Sequence, residues 1–441
     1  MTDQRNDKRT IFGWAMYDWA NSAYITIFGA VIGAFFTGTI MQGDTYWGLS
    51  GEALFSILIG IGSLALMLAM PILGAMADYS NSKRRFLRNF ALIGAIFVLL
   101  VPFVPDGQVP LFLIVVVVSQ FGFVAANVFY DGFLPEIATD DTIDQVSSRG
   151  FALGYLGGGL YLLIAIVLIF LSSDEPDAAL TEELAARIAI FGSGLWWIGF
   201  SLFSLARLPA DTSSGESATL ATYARTGFDR TIATTKKLGQ FPQLLLFVIA
   251  FIVYNSGVGT VIAVSGPYAE DTLGLELQTI ALGFLLVQFI AFFGALLFGR
   301  LANVIGPKNA VMVSLVVWTA LAFVAFFLPE GSDAGFLALA SLVGFVLGGV
   351  QALSRSLYGS MIPEDASAEF FGFFSVFSKL SGIGPFVFGA VSAATGSGRA
   401  AIVSVAAFFI IGLILLWKVD VDVARRSRDE WDFENLQADT T

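Results

Sequence analysis

Asp18, Asn21 and Ser22 stand three and four residues apart inside the apolar run that opens the chain, so a helix there carries them as one polar stripe. An acid in such a run can bind an ammonium group or carry a proton. Left unpaired near a bilayer centre it costs roughly 2.5 to 3.5 kcal/mol on insertion scales, so its presence calls for a partner or a function. Asp18 lies about two turns in, roughly 10 Å deep at 1.5 Å per residue. Two cations in later apolar runs, Arg355 and Lys379, are able to answer a carboxylate. Opposed charges of this kind in a low-dielectric cavity suit a zwitterion, and neutralising one while the other is occupied lets helices close; a structural salt bridge is the alternative for either cation. Asn127, Tyr254, Asn255 and Gln351 add polar groups from other runs, each of which is also explained by helix-to-helix hydrogen bonding.

The elements that must hold these residues belong in lipid. The 441 residues are 56% hydrophobic and 13% charged, with a mean hydropathy of +0.79, more apolar than a soluble domain can bury. Histidine and cysteine are both absent, which removes the imidazole base, the thiol nucleophile and the thiolate metal site, and leaves carboxylates as the carriers of any transported proton. No catalytic group, metal site or cofactor is implied, and no phosphate-binding Gly-x-x-x-x-Gly-Lys-Ser/Thr loop is found. A formal charge of −12 argues against nucleic acid. Most of the acid falls in solvated loops, such as Asp174, Glu175, Asp177, Glu182 and Glu183, and in the tail from Asp420 to Asp439.

A spanning helix needs about 20 apolar residues, and twelve runs qualify. They cover 11–40, 53–77, 87–104, 110–130, 150–171 and 188–208, then 241–265, 278–300, 309–328, 335–359, 370–393 and 400–417. The first is too long for a cleaved signal peptide and contains Asp18. Every second connection is basic: Arg5, Lys8 and Arg9, then Lys83 to Arg88, Arg225 to Lys237, Lys308, and Arg425 to Arg428. Short cytoplasmic loops retain Lys and Arg, so both termini are expected in the cytoplasm of a cell whose inner or plasma membrane holds the protein. The expected organisation is a six-helix bundle over 1–208, a central cytoplasmic connection over 209–240, a second bundle over 241–417 and a tail over 418–441. Within the connection Leu220, Tyr223, Ala224, Phe228, Ile232 and Leu238 recur at helical spacing between basic residues, which suits a helix on the inner membrane surface; a flexible linker is the alternative.

The halves match internally. Tyr17 and Asp18 correspond to Tyr254 and Asn255; Gly74, Ala77, Asp78 and Lys83 to Gly299, Ala302, Asn303 and Lys308; Pro135 and Glu136 to Pro363 and Glu364. The offsets, 237, 225 and 228 residues, fall in order along the chain, as a repeated six-span unit requires.

The stretch GAMADYSNSKRR, Gly74 to Arg85, resembles the loop motif that joins spans 2 and 3 in the major facilitator superfamily. Its glycine permits close helix contact, its aspartate can meet a helix end, and Lys83, Arg84 and Arg85 can anchor at anionic headgroups or simply mark topology. Asp78, Lys83 and Arg84 are expected to gate, together with Glu136, Asn303, Lys308 and Glu364 at the matching turns. More specific are YDWANSAY (17–24), FYDGFLPEI (129–137), SSRGFALGYLGGG (147–159), GGVQALSRSLYGSMIPE (348–364) and EFFGFFSVFSKLSGIGP (369–385). Together they resemble the vacuolar amino-acid effluxer-like family within that superfamily, over essentially the whole chain. The resemblance implies an all-α fold of twelve transmembrane helices in two pseudo-symmetric bundles, a cavity lined by spans 1, 4, 7 and 10, alternating access and amino-acid export. Two departures stand out: Ser256 follows Asn255 where relatives commonly carry an acid, and Asn303 replaces the aspartate common in the second loop motif. The first argues against a mechanism that requires carboxylates in both halves, and the second weakens one gate.

The expected function is secondary active transport of a small solute, with membrane lipid as surroundings and a proton as the coupling ion. Movement of lipid or amphiphilic drugs by the same fold is the alternative, for which 43 phenylalanines suit an apolar cavity. An intramembrane enzyme is the remote one.

Overall fold

The computed structural model describes residues 5–173, 175, 178–211 and 220–430. Asp174, Asp177, residues 212–219 of the connection and the tail beyond 430 lie outside the described residues. Among the described residues, twelve helices are long and apolar enough to cross a membrane. Spans 1 to 6 are Lys8–Ile40, Gly51–Tyr79, Lys83–Phe103, Val109–Ile137, Ile143–Phe170 and Glu182–Leu205. Spans 7 to 12 are Pro242–Thr272, Leu277–Ile305, Pro307–Phe327, Asp333–Gly359, Glu364–Thr395 and Gly398–Trp417.

Local chemistry sets where the spans begin. Asp7 accepts the Thr10 amide at 2.8 Å and its hydroxyl at 2.9 Å, which caps span 1 and holds the Asp7 carboxyl below the usual carboxylate range. Ser50, Thr181 and Ser397 cap spans 2, 6 and 12 in the same way. Proline stands in the first turn of spans 4, 7 and 9, where no amide donor is missed.

Glycine faces then bring the spans together. A Cβ at Gly157 of span 5 would lie 2.7 Å from the Trp19 carbonyl of span 1, and one at Gly348 of span 10 would lie 2.2 Å from the Ala291 carbonyl of span 8. These backbones touch because no side chain separates them. Spans 1 and 7 both pass through a π-helical turn towards their far ends, at Phe28–Ile32 and Tyr268–Thr272. Span 11 is interrupted by a tight turn at Ser381–Ile383 ahead of Pro385. Beyond that turn, Gly384 lies so close to span 7 that a Cβ would meet the Thr260 hydroxyl at 2.0 Å and the Ser256 carbonyl at 2.4 Å.

Spans 2 and 11 give the molecule its asymmetry. At the end that carries the basic turns, called here the basic end, Gly74 would place a Cβ 2.2 Å from the Ala368 carbonyl, and Gly372 one 2.6 Å from the Met70 carbonyl. Towards the other end Gly60 and Gly62 of span 2, and Gly382 and Gly389 of span 11, face open space. The two helices are pressed together at one end and diverge at the other.

The described part of the connection contains a helix, Leu220–Leu238. It lies against span 2, where a Cβ on Gly227 would meet the Ile72 carbonyl at 2.9 Å, and Tyr223 meets Tyr79 edge-on. Its apolar residues do not all face inward: Phe228 and Ile232 are exposed, while Arg230 and Thr234 turn towards the bundle.

Candidate transport site

Arg355 of span 10 is the centre of the polar interior, 4% exposed although it bears a full charge. Its Nη1 donates to Asp18 of span 1 at 3.2 Å and to Asp131 of span 4 at 3.0 Å. Nε donates to the Ser147 hydroxyl at 3.0 Å and Nη2 to the Ser147 carbonyl at 2.9 Å, both on span 5. The guanidinium lies over Phe151 at 4.2 Å and Trp14 at 4.8 Å, cation–π contacts that gain strength away from water. Tyr130 supplies a further donor to Asp18, at 2.7 Å. That tyrosine is itself fixed by stacking on Trp14 at 4.5 Å, whose Nε1 donates to the Tyr130 carbonyl at 2.8 Å. Every partner of the cation comes from the first half, and the cation comes from the second. One positive charge therefore answers two negative ones across the interface.

A second charge cluster closes the basic end below it. Asp78 accepts the amides of Glu369 at 2.7 Å and Ala368 at 3.3 Å, so the acid of span 2 caps the first turn of span 11. Lys83 pairs with Asp78 at 3.1 Å and also with Glu136, and donates to Ser367 at 2.5 Å. Ser367 donates in turn to the Gly132 carbonyl at 2.7 Å. Arg5 pairs with Glu364 at the margin. Lys308 instead ties the end of span 12, donating to the Trp417 and Val419 carbonyls at 2.8 and 2.7 Å. Asn303 is exposed and makes no side-chain hydrogen bond with a described residue. Arg84 contributes its backbone amide to Asp211 at 2.8 Å. The first-half motif thus grips the opposite bundle, whereas at its second-half counterpart Gly299 packs on Ser148 of span 5 without an acid to bind.

Beyond Arg355, further along the interior, the amides and phenols are mostly paired. Asn21 donates to Asn127 at 2.7 Å, Tyr254 shares a hydrogen bond of 2.7 Å with Ser354, and Tyr155 donates to Gln351. Asn255 is half-buried and makes no side-chain hydrogen bond with a described residue. Lys379, half-buried on span 11, forms no ion pair with a described residue, so Arg355 and not Lys379 is the cation that answers Asp18 here.

Asp131, Tyr130, Ser147, Glu369 and Arg230 were not singled out by the sequence. Asp131 and Glu369 fall one residue outside the apolar runs 110–130 and 370–393, at positions that read as loop acids. The helices continue past those limits, to Ile137 and back to Glu364, and take both acids inside. The available signal was the phrase FYDG itself, an acid set directly against the end of an apolar run.

A twelve-span helical protein whose two halves meet through buried charge is a membrane transporter of the major facilitator type. The E. coli transporter FucP, solved in an outward conformation, superposes with a TM-score of 0.68 over 94% of this chain and 100% of its own, at 14% identity, a likeness of fold. The chain belongs to the family described as vacuole effluxer Atg22-like, whose model matches residues 6–429. It is 31% identical to the uncharacterized MFS-type transporter YxiO of Bacillus subtilis over 94% of this chain and 97% of that one. It is 25% identical to autophagy-related protein 22-1 of Aspergillus niger over 64% of this chain and 48% of that one. These relatives place the chain among transporters and not among enzymes.

Proposed function

We propose that the protein exports a small zwitterionic solute of the amino-acid class by alternating access, coupled to protons, from a membrane in which the basic end faces the cytoplasm. The bundles 1–208 and 241–417 rock against each other as units, and in the state described the cytoplasmic side is closed. The observation that carries this reading is Arg355 of one half shared between Asp18 and Asp131 of the other.

The charge arithmetic supplies the cycle. To open the basic end, Arg355 must leave both carboxylates, which strands two negative charges in a medium that penalises even one. A solute ammonium group can replace the guanidinium at Asp18, whose Tyr130 donor stays in place because both residues belong to the first half. Asp131 accepts no second side-chain donor among the described residues, so a proton is its natural substitute. The solute carboxylate meanwhile takes Arg355. Lys83, Asp78 and Glu136 act as the outer part of the same closure, with Glu364 at its margin. The basic turns and the family description as effluxers support the direction and sidedness.

Asp18→Asn is expected to lower proton-driven amino-acid transport in reconstituted vesicles by at least about tenfold, because the ammonium site loses its charge. Unchanged transport with unchanged pH dependence removes Asp18 from the mechanism. One observation favours amphiphilic cargo instead. A narrow apolar cleft of about 80 Å³ lies within the second bundle, walled by Phe284, Trp318, Leu321, Phe336 and Ile402. Thermal unfolding with amino acids and with lysolipids separates the readings, since a ligand of the native state raises the midpoint. Amino-acid stabilisation is expected; stabilisation by lysolipid alone favours the second.

A further inference from the structure

Glu369 belongs to neither the solute site nor the Lys83 pairing, and its burial needs another account. Its side chain is fully buried in the first turn of span 11, beside Asp78, which caps that same turn. Its facing cation is Arg230, whose Nε lies 3.4 Å from Oε2 and whose side chain is 15% exposed. Arg230 is not on any span; it sits on the helix Leu220–Leu238 that joins the halves. That helix is seated on the first half, with Gly227 against the backbone of Ile72 and the side chain of Met76 in span 2, and Thr234 buried one turn beyond Arg230. The remaining charges around the pocket are Lys83, Asp78 and Glu136. Three acids are gathered there, and Lys83 already serves two of them. Arg230 supplies the second positive charge that lets Glu369 stay buried.

We infer that the connecting helix is a working part of the cytoplasmic closure: Arg230, carried on the first half, holds Glu369 of the second half and thereby positions the end of span 11 against span 2. The inverted face of the helix follows from this. Arg230 and Thr234 turn inward because they meet a buried carboxylate, and Phe228 and Ile232 are left outside. When the halves part, Glu369 leaves Arg230 and both reach water, so the pair favours the closed arrangement only while its geometry is intact. Removing the cation alone leaves a buried, uncompensated carboxylate and drives opening. Removing both charges relieves that penalty. Arg230 and Glu369 are positioning residues, acting through span 11 and not on the solute.

The inference rests on the alternating-access reading, and the test separates the two. The chain has no cysteine, so Asp141→Cys and Asp365→Cys, both at exposed positions at the basic end, can carry a spin-label pair in the full-length protein in lipid nanodiscs. Without the Arg230 substitutions, the pair is expected to show a short and a long distance whose balance shifts with pH or added amino acid. A single invariant distance under all conditions contradicts alternating access itself. Given two distances, Arg230→Ala is expected to raise the ratio of long to short by about tenfold. Arg230→Lys should stay near the wild-type balance, and Arg230→Ala with Glu369→Gln should return most of the way to it. That return is the signature that a merely structural role for the helix does not produce. An unshifted ratio in Arg230→Ala, or a double variant no closer to wild type than the single, overturns the inference. Should Arg230→Ala not fold, Glu369→Gln alone decides: a ratio of long to short raised above wild type, as loss of the holding pair predicts, supports the inference, and an unshifted ratio overturns it.

Discussion

Arg355→Ala is expected to reduce net transport by at least about a hundredfold while the protein still inserts and folds. The substitution leaves Asp18 and Asp131 facing each other without their shared cation. Breaking a buried pair from one side costs roughly 3–5 kcal/mol, because the surviving charge is uncompensated. A soluble protein would have to absorb that cost as lost stability. A two-state transporter has another route, which is to populate the arrangement in which those carboxylates reach water, and a bias of about 3 kcal/mol is more than a hundredfold in population. Arg355→Lys is expected to rescue poorly. A single ammonium cannot reproduce the contacts to Asp18, Asp131, the Ser147 hydroxyl and the Ser147 carbonyl, nor the stacking over Phe151. Amino-acid counterflow in vesicles is the check, and wild-type counterflow in Arg355→Ala contradicts the assignment.

Gly74→Ala is the second large effect, and it adds only a methyl group. That methyl would lie 2.2 Å from the Ala368 carbonyl oxygen and 2.7 Å from the Glu369 Cα. Both are backbone atoms, on a helix end already capped by Asp78, so no side chain can rotate away. Overpacking of this sort costs roughly 1–3 kcal/mol. Because the contact joins the two halves, the cost falls on closure and not on the folding of either bundle. Transport is expected to fall by about tenfold, with the basic end biased open. Gly299→Ala provides the comparison. There the added methyl would meet the Ser148 hydroxyl, which can rotate away, and its Cβ at 2.6 Å, which gives only with its helix, so part of the clash is relieved and a milder loss is expected than against the backbone at Gly74. Equal losses at Gly74 and Gly299 contradict the argument.

Twelve spans and the helix Leu220–Leu238 were legible because each rests on a local, periodic signal. The Asp18 stripe and the Gly74 motif were legible for the same reason. What was not legible was pairing. Nothing in the order of residues says that Arg355 would meet Asp18 and Asp131 while Lys379 meets no described acid, because such choices depend on how helices rotate and tilt against one another. Asp131 and Glu369 were missed for a narrower reason. The two apolar runs beside them were ended at a charged residue, whereas the helices themselves extend several residues further, to Ile137 and back to Glu364. Asp131, which shares Arg355 with Asp18, lies in that margin. The asymmetry between Asp78 and Asn303 was visible as a substitution, and its consequence emerged only when Asp78 was found to cap span 11 and Asn303 to lie exposed.

The central claim is that the interior is reachable from one side and sealed on the other by the charge that Arg355 brings across the interface. Asn255 is half-buried on span 7 and hydrogen-bonds to no described residue, so Asn255→Cys in this cysteine-free chain reports access with little disturbance. The measurement is its modification by a membrane-impermeant thiol reagent added to one side of oriented vesicles. Modification from the side opposite the termini, protection from the termini side, and loss of that protection when Arg355→Ala is added are the results predicted. Free modification from the termini side with Arg355 in place would contradict the account.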